Sequence, residues 1–325
     1  MDSVLSRPSL NAPTHSVASR AFHRALLYRT RAEYLDAVGG FVSAGLDNGE
    51  RVLLALPAER LEWIRPIFGS SANVRLVDMR DSGRNPALMI PALRAFIEEA
   101  PAVPARVVGE PVWPGRRRAE ISEVAETETL VNLAFRDDGV AMLCPYDALR
   151  LPAEVLAECC EHNHPAVLGH GGVRPGAYVD RTGWDSWDRQ PLDPPPPEAA
   201  VTEVGLRGLA GFRRRLRQEA LESGLLEGRV EDLLLAVTEV ATNALVHGSG
   251  RARVRIWSDP EDGALICEVA DEGRIDDPLA GRRPLRAEAE GSRGLWLVNQ
   301  LSDLVQLRSG ERGTVVRMRF AVDRP

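Results

Sequence analysis

Two polar residues lie one helical turn apart in the C-terminal part of the chain. Glu239 and Asn243 are four positions apart in a segment with helical apolar spacing, so their side chains lie one above the other. An amide oxygen is a hard, neutral ligand for Mg²⁺, and a neighbouring carboxylate can orient or deprotonate a water or a hydroxyl. Such pairs also occur on solvated helix edges. This pair therefore indicates a ligand site only in combination with the motifs that follow it.

Three further motifs follow in order along the chain. Asp271 ends a predicted strand, where its carboxylate can accept a hydrogen bond from an exocyclic amine, and Gly273 lets the backbone approach a base. Gly291 and Gly294 directly precede a predicted helix, whose free N–H groups can hold a phosphate. Thr314 opens the last predicted strand, where its hydroxyl can meet a polar ligand edge. Together these motifs predict a nucleotide site.

A second set of polar and aromatic residues belongs to the N-terminal half, and most of them follow predicted strands. In a parallel sheet, ligands bind beyond the carboxyl ends of the strands. This rule favours a small-ligand pocket at one rim, although a scaffold or a dimer surface fits the pattern equally well. The candidate pocket residues are His23, Asp78, Glu110, Trp113, Tyr146 and Asp147.

The elements that must position these residues differ between the two halves. In the N-terminal half, apolar strands alternate with helices, which predicts an α/β fold with a mainly parallel sheet. The C-terminal half has two helices, two strands, a loop, a helix and two strands, which predicts an α+β sandwich with helices on a mixed or antiparallel sheet. The predicted strands are 51–56, 74–77, 106–109, 140–144, 252–258, 264–270, 304–308 and 314–320, and the predicted helices are 91–100, 119–135, 206–223, 229–247 and 295–301.

A proline-rich stretch separates the two halves. Four consecutive prolines, Pro194 to Pro197, cannot continue a helix and favour an extended spacer. We therefore expect a flexible tail at 1–20, a first domain at 21–183, a linker at 184–200 and a second domain at 201–325.

Composition excludes several classes of function. The net charge of −7 argues against binding to a nucleic-acid backbone, and no stretch reaches the roughly 20 apolar residues of a membrane span. We expect a cytoplasmic protein without disulfides, because the four cysteines lack paired spacing. The tract around Cys159, Cys160, His162 and His164 has no standard zinc spacing and is interpreted as a helix end followed by a turn.

The C-terminal motifs resemble those of the GHKL ATPases, and more narrowly those of bacterial anti-sigma-factor serine kinases. Glu239-Val-Ala-Thr-Asn243-Ala-Leu-Val-His247-Gly248 is similar to the family's N-box, Asp271-Glu-Gly273 to its first glycine box, and Gly291-Ser-Arg-Gly294-Leu-Trp-Leu-Val to its second. The resemblance implies a Bergerat-type fold that binds ATP and Mg²⁺, with Asn243 on the metal, Glu239 as general base and Asp271 on adenine. It also implies a nucleotide pocket lined by His247, Gly273, Gly291, Arg293, Gly294, Leu295 and Thr314.

The same resemblance implies a regulator of stress-response transcription. Such a protein sequesters a sigma factor and phosphorylates an anti-anti-sigma partner of the STAS type on serine or threonine, and it is expected to form a homodimer. Ile275 stands where the family has its second glycine, so ATP binding without kinase activity is an alternative function. A sensor histidine kinase is a weaker alternative, because the predicted helix 206–223 contains no phosphoacceptor histidine.

The N-terminal half resembles the MEDS domain, a sensory module named for methanogen and methylotroph regulators. The resemblance covers about Phe22 to Tyr178, and Gly109-Glu-Pro-Val-Trp-Pro-Gly115 is its most distinctive element. It implies a RecA-like fold. However, the residues after the first apolar strand read PAERLEW, which cannot cradle phosphate as a GxxxxGK[ST] loop does, so we expect no ATP in this domain.

Overall fold

The computed structural model describes residues 22–82, 84–169, 171–178, 192–199, 201–248, 250–260, 263–283 and 293–322. They form two domains, one around a seven-stranded sheet and one around a five-stranded sheet. The predicted tail 1–20 and the linker residues 184–191 lie outside the described residues. Among the helices that are described, none is both long and apolar enough to cross a membrane.

The first sheet has the strand order β3-β2-β4-β5-β1-β6-β7, and every pairing is parallel except that of β6 with β7. This confirms the predicted α/β domain with a mainly parallel sheet. Its strands are β1 (His23–Tyr28), β2 (Arg51–Leu56), β3 (Val74–Asp78), β4 (Ala105–Gly109), β5 (Ala141–Asp147), β6 (Ala166–Gly169) and β7 (Gly172–Pro175).

Helices cover both faces of this sheet, so its central strands are buried and read as continuous apolar runs. A 3₁₀ turn, Pro86–Leu88, precedes α4, and a π-helical turn, Leu156–Glu161, continues α6. The helices are α1 (Arg31–Asp47), α2 (Ala58–Phe68), α3 (Met79–Ser82), α4 (Met89–Glu98), α5 (Arg118–Phe135) and α6 (Ala153–Val155).

The second domain packs helices on an antiparallel sheet of order β11-β12-β10-β9-β8. A single apolar core joins the helices to one face of this sheet. A 3₁₀ turn, Leu206–Gly208, leads into the first helix. The elements are β8 (Val201–Val204), α7 (Leu209–Glu222), α8 (Glu227–His247), β9 (Ala252–Asp259), β10 (Ala264–Asp271), α9 (Arg293–Leu301), β11 (Leu304–Gly310) and β12 (Gly313–Ala321).

Several elements escaped the sequence prediction for local reasons. The helix α1 contains Gly39 and Gly40, and α2 contains Pro66. These residues lower helix propensity, so the two segments were not predicted as helices. The N-terminus of α1 is nevertheless capped, because Thr30 Oγ1 accepts a hydrogen bond from the Glu33 N–H. The strands β6, β7 and β8 have four residues each, too few for a clear alternation.

Candidate functional site

The helix α8 presents Glu239 and Asn243 at the edge of the second domain. Its apolar positions are buried in the domain core, whereas these two polar side chains are partly exposed. Gly294, in the first turn of α9, lies against both of them. A Cβ atom at Gly294 would lie 3.1 Å from Asn243 Nδ2 and 3.1 Å from Glu239 Oε2, so a side chain there would crowd the pair. Gly294 of the second glycine motif therefore faces Glu239 and Asn243.

The end of β10 places Asp271 beside the end of α8. Its Oδ1 accepts a hydrogen bond from the Gly273 N–H at 2.5 Å. A side chain at Gly248 or at Gly273 would overlap this carboxylate, which explains why glycine is needed at both positions. Burial raises the pKa of Asp271, the Gly273 N–H lowers it and Glu272 raises it, with a net upward direction.

The strand β12 brings Thr314 to the same place. Thr314 pairs with Asp271 in the sheet register, and its Oγ1 donates to the Gly273 carbonyl oxygen at 2.8 Å. Ser309 Oγ lies 2.8 Å from Thr314 Oγ1 and accepts a hydrogen bond from the Ile275 N–H at 2.8 Å. The backbone after Asp271 is therefore held by two hydroxyl groups of the neighbouring strands. The half-buried Ile275 side chain packs against the domain core, at the position where a glycine was expected.

The remaining nucleotide-site predictions fall at three kinds of position. His247 is exposed at the end of α8, and Arg293 is exposed at the start of α9. Leu295 is buried in the core of the second domain. Gly291 lies outside the described residues.

The loop after Gly273 contacts the first domain. Leu279 is buried in an apolar cluster of that domain together with Leu53 and Met79. Arg282 Nη1 donates to Thr127 Oγ1 at 2.8 Å, and its Nη2 donates to Glu126 at 3.2 Å. The segment next to the predicted nucleotide site is therefore fixed to α5.

A second arginine contacts the same face of α5. Arg308 of β11 forms ion pairs with Glu123 at 2.8 Å and with Glu126 at 3.0 Å. Burial lowers the pKa of Arg308, but the two carboxylates outweigh this effect and raise it overall. We call Glu123, Glu126 and Thr127, together with Arg282 and Arg308, the α5 clamp.

An amide pair adds a further link between the domains. The side chain of Asn85 donates to the Asn299 carbonyl oxygen at 2.9 Å, and the Asn299 side chain donates to the Gly281 carbonyl oxygen at 2.9 Å. Both asparagines are buried. The helix α9, residues 279–282 and β11 are thus all bound to the first domain.

The six pocket residues predicted in the first domain lie in different parts of it. Glu110 follows β4, and Asp147 ends the neighbouring strand β5. The two carboxylates meet through Arg60, which lies 3.4 Å from Glu110 Oε1 and 3.1 Å from Asp147 Oδ2. Tyr28 donates a hydrogen bond to Glu110 at 2.8 Å. Burial raises the pKa of Glu110, outweighing Arg60 and Tyr28, to about 7.

The other four lie elsewhere. The Trp113 ring stacks under Arg116, Asp78 accepts a hydrogen bond from the Arg80 N–H, and Tyr146 donates to a backbone carbonyl. His23 begins β1, and the start of a parallel strand lies at the edge opposite to the predicted rim. His23 lines an apolar cavity of the first domain.

One residue of the cysteine tract belongs to a buried polar cluster. Cys159 and Cys160 lie on a helical turn followed by a bend, as predicted, but His164 reaches His23, Glu128 and Cys144 in the domain interior. Glu128 is not among the functional residues predicted from the sequence. The available signal was a run of polar residues, Glu123, Thr127, Glu128 and Asn132, on the otherwise apolar buried face of α5.

The two sheets define a two-domain protein in which an α+β module is bound to an α/β module. Residues 22–165 match the model of the MEDS family (MEthanogen/methylotroph, DcmR Sensory domain), and residues 202–320 match the histidine kinase-like ATPase domain. The chain is thus a MEDS domain fused to a histidine kinase-like ATPase domain.

Two solved structures are similar to part of the chain. One holds the RsbU and RsbW domains of a Mycobacterium tuberculosis protein, with 19% identity over 39% of this chain and 33% of that one, and a TM-score of 0.29. This chain therefore spans about a third of that relative. The other is the Acinetobacter baumannii histidine kinase AdeS, with 9% identity over 39% of this chain and 70% of that one, and a TM-score of 0.24. No curated protein sequence matches the chain.

Proposed function

We propose that this protein is a regulator that binds Mg-ATP in its second domain. Asn243 coordinates Mg²⁺, Asp271 accepts a hydrogen bond from adenine, and the first turn of α9 at Gly294 receives the phosphates. The observation that carries the proposal is the close approach of Gly294 to Glu239 and Asn243, with Asp271 held nearby by the Gly273 N–H. The second domain then has the Bergerat fold, and the first is a RecA-like module without a phosphate loop.

The regulatory target is a sigma factor. In this proposal the protein is a homodimer that sequesters the sigma factor and responds to an anti-anti-sigma partner of the STAS type. Where phosphoryl transfer occurs, Glu239 activates a serine or threonine hydroxyl of that partner, and Mg²⁺ with the helix-end N–H groups positions the γ-phosphate.

Binding without phosphoryl transfer is the second candidate, and Ile275 supports it. The Ile275 side chain packs on the domain core and its N–H donates to Ser309 Oγ, so the backbone is fixed where the family has a glycine. A fixed backbone there limits the closure of the following loop over the phosphates. ATP then acts as a switching ligand that stabilises one form of the protein.

In this proposal the first domain regulates the nucleotide site of the second. The α5 clamp holds the loop of the nucleotide site through Arg282, and Asn85 holds α9 through Asn299. A change in the first domain that moves α5 therefore alters the geometry of the loop and of the helix that receives the phosphates. The sensory domain controls nucleotide binding through this contact.

Thermal unfolding of the full chain tests nucleotide binding. A ligand that binds only the folded state at one hundred times its Kd stabilises it by about 2.7 kcal/mol. We expect Mg-ATP to raise the Tm, and we expect Asp271→Ala to lose most of this rise. An unchanged Tm of the wild-type protein at millimolar Mg-ATP contradicts the proposal.

Incubation with labelled ATP and a candidate STAS partner separates the two candidates. Transfer of label to the partner by the wild-type protein, and its loss in Glu239→Ala, supports the kinase. Retained ATP binding without transfer supports the switch. Equal transfer by the wild type and Glu239→Ala rules out the proposed base.

A further inference from the structure

Four potential metal ligands converge in the interior of the first domain, away from the nucleotide site. His23 comes from β1, Glu128 from α5, Cys144 from β5, and His164 from the segment before β6. Their side chains each offer one ligand atom, and these atoms all lie within 4.8 Å of one another. All four residues are buried, with 0 to 6% of their surface exposed. We call them the His₂-Glu-Cys cluster.

The distances within this cluster are close to those around a tetrahedral ion. Zinc bonds of about 2.0 Å to nitrogen or oxygen and 2.3 Å to sulfur place two tetrahedral ligand atoms roughly 3.3 to 3.6 Å apart. Glu128 Oε2 lies 3.0 Å from His23 Nε2, 3.1 Å from His164 Nε2 and 3.6 Å from Cys144 Sγ. His23 Nε2 lies 3.2 Å from Cys144 Sγ. Small side-chain shifts would therefore place an ion between the four atoms.

The hydrogen bond of His23 Nδ1 directs the Nε2 atom of the ring into the cluster. The Asn132 side-chain nitrogen donates to the carbonyl oxygens of Glu128 and Asn163, at 3.1 and 2.8 Å. The Asn132 Oδ1 atom, 3.1 Å from His23 Nδ1, is therefore an acceptor, and Nδ1 must donate to it. In the neutral ring the proton is then on Nδ1, and Nε2 has a bare lone pair that points into the cluster.

His164 is oriented in the same way. Its Nδ1 donates to the Cys160 carbonyl oxygen at 2.8 Å, since a carbonyl can only accept. Its Nε2 is fully buried and has no hydrogen-bond partner, although Glu128 Oε2 is 3.1 Å away. With both rings neutral, two imidazole lone pairs and a carboxylate oxygen face one another, and the Cys144 thiol has one proton for all three. A cation shared by these atoms removes the repulsion.

We propose that the His₂-Glu-Cys cluster binds one divalent transition metal ion, and that its donor set best matches zinc. Two neutral imidazoles, a carboxylate and a thiolate are ligands that Zn²⁺ accepts in tetrahedral geometry, and together with the ion they form a site of zero net charge. An uncharged site suits the buried position of the four side chains. Binding displaces the Cys144 thiol proton to solvent, and Glu128 binds as the carboxylate.

An apolar cavity of about 230 Å³ borders the cluster. His23, Glu128 and Cys144 form part of its wall, and the lining extends to Arg75, whose side chain is half-exposed. The Asn132 amide and the Cys160 carbonyl hold the two imidazole rings in the orientation that a bound ion requires. Cys160 itself contributes only its backbone.

Cobalt substitution tests the site in the untagged, full-length protein without nucleotide. After treatment with a chelator, the protein is titrated with Co²⁺ and the visible and near-ultraviolet spectrum is recorded. We expect saturation at one equivalent, with intense visible bands of tetrahedral cobalt and a thiolate-to-cobalt charge-transfer band, and displacement of Co²⁺ by one equivalent of Zn²⁺. A wild-type protein that takes up less than about half an equivalent, or that shows no charge-transfer band, overturns the proposal.

Variants assign the ligands. Cys144→Ala should lose the charge-transfer band, and Glu128→Gln should lower the apparent affinity for Co²⁺ at least tenfold. Cys267→Ala removes a buried cysteine from the second domain and should keep the wild-type spectrum. Circular dichroism checks that each variant is folded. If a variant is unfolded, the Co²⁺ titration of the wild-type protein alone tests the proposal. A charge-transfer band that persists in folded Cys144→Ala overturns the assignment.

Discussion

Thr127 and Glu128 are consecutive residues of α5, and their side chains reach two different sites. Thr127 Oγ1 accepts a hydrogen bond from Arg282 of the second domain at 2.8 Å, whereas Glu128 Oε2 lies 3.0 Å from His23 Nε2 in the interior of the first. A single helix is therefore in contact with both the buried cluster and the loop beside the nucleotide site. Because a helix moves as a rigid element, a displacement at Glu128 reaches Thr127 directly.

Removing Arg282 from the α5 clamp should loosen the contact between the domains. Arg282→Ala deletes the hydrogen bond to Thr127 and the ion pair with Glu126, and it leaves the buried carboxylate of Glu123 with less compensating charge. Breaking a buried charge contact in this way costs roughly 3 kcal/mol. We expect faster hydrogen exchange in α5 and in residues 276–283, together with a changed affinity for Mg-ATP.

The neighbouring arginine provides the control for this experiment. Arg283 is exposed and forms an ion pair with Asp277 within its own loop, so Arg283→Ala should leave the exchange of α5 as in the wild type. Equal exchange of α5 in Arg282→Ala and the wild-type protein contradicts the role given to the clamp.

A methyl group at Gly294 should weaken nucleotide binding without unfolding the domain. In Gly294→Ala the new Cβ lies 3.1 Å from Asn243 Nδ2 and from Glu239 Oε2, and it displaces the groups proposed to hold Mg²⁺ and the phosphates. We expect a Kd for Mg-ATP at least tenfold higher, about 1.4 kcal/mol. Stability should not fall, since alanine is the better helix former.

Gly228 is a matched control for this substitution. It also lies in a helix, α8, and a Cβ there would meet nothing within 4 Å. Gly228→Ala should therefore bind Mg-ATP as the wild type does. If both alanine variants show the same affinity, Gly294 does not border the nucleotide.

The side chain at position 271 should decide which base is bound. Asp271 Oδ1 is occupied by the Gly273 N–H, so in Asp271→Asn the amide oxygen takes this place and the NH₂ group faces the ligand. The NH₂ group then opposes the adenine amine, another donor. We expect a loss of ATP affinity of about tenfold or more and a relative gain for GTP, whose base carries an acceptor oxygen, measured by competition binding. An unchanged ratio of ATP to GTP affinity contradicts the role of Asp271.

The buried carboxyl of Glu110 should make the first domain less stable at higher pH. Its pKa is raised from 4.5 to about 7, so the folded state binds more protons than the unfolded state between these values. Its stabilising contribution is complete below pH 4.5 and is lost as the pH rises through 7. From pH 5 to pH 8 the free energy of unfolding of the wild type should fall by about 2.5 kcal/mol relative to Glu110→Gln.

A surface variant on the same domain controls for the substitution itself. Glu62→Gln, at an exposed position of α2, should follow the pH dependence of the wild type. Parallel stability curves for the wild type and Glu110→Gln between pH 5 and pH 8 contradict a raised pKa.

Much of the architecture follows from local patterns in the sequence. Arg51–Leu56 is a buried strand because its apolar run is covered on both faces, and α8 is visible from the spacing of Val230, Leu233 and Val237. Each proposed nucleotide motif is a short, continuous stretch of sequence, so the motifs and their order along the chain are visible without the fold. The close approach of Gly294 to Asn243 agrees with that order.

The features missed from the sequence depend on residues far apart in the chain. His23, Glu128, Cys144 and His164 meet only because β1 pairs with β5 and α5 packs beside them. No spacing rule connects His23 with three residues that follow it by more than a hundred positions. The contact of Arg282 with Thr127 spans 155 positions and joins two domains. A charged residue on an exposed loop and the same residue in an interface look alike in a sequence.

Calorimetric titration of the full-length protein with ATP in the presence and absence of Mg²⁺ tests the central claim most directly. We predict saturable binding of about one ATP per chain with Mg²⁺, and at least tenfold weaker binding by Asn243→Ala, which removes the proposed Mg²⁺ ligand from a partly exposed position of α8. The absence of saturable binding by the folded wild-type protein, or equal Mg-ATP affinity of the wild type and Asn243→Ala, would contradict the nucleotide site described above.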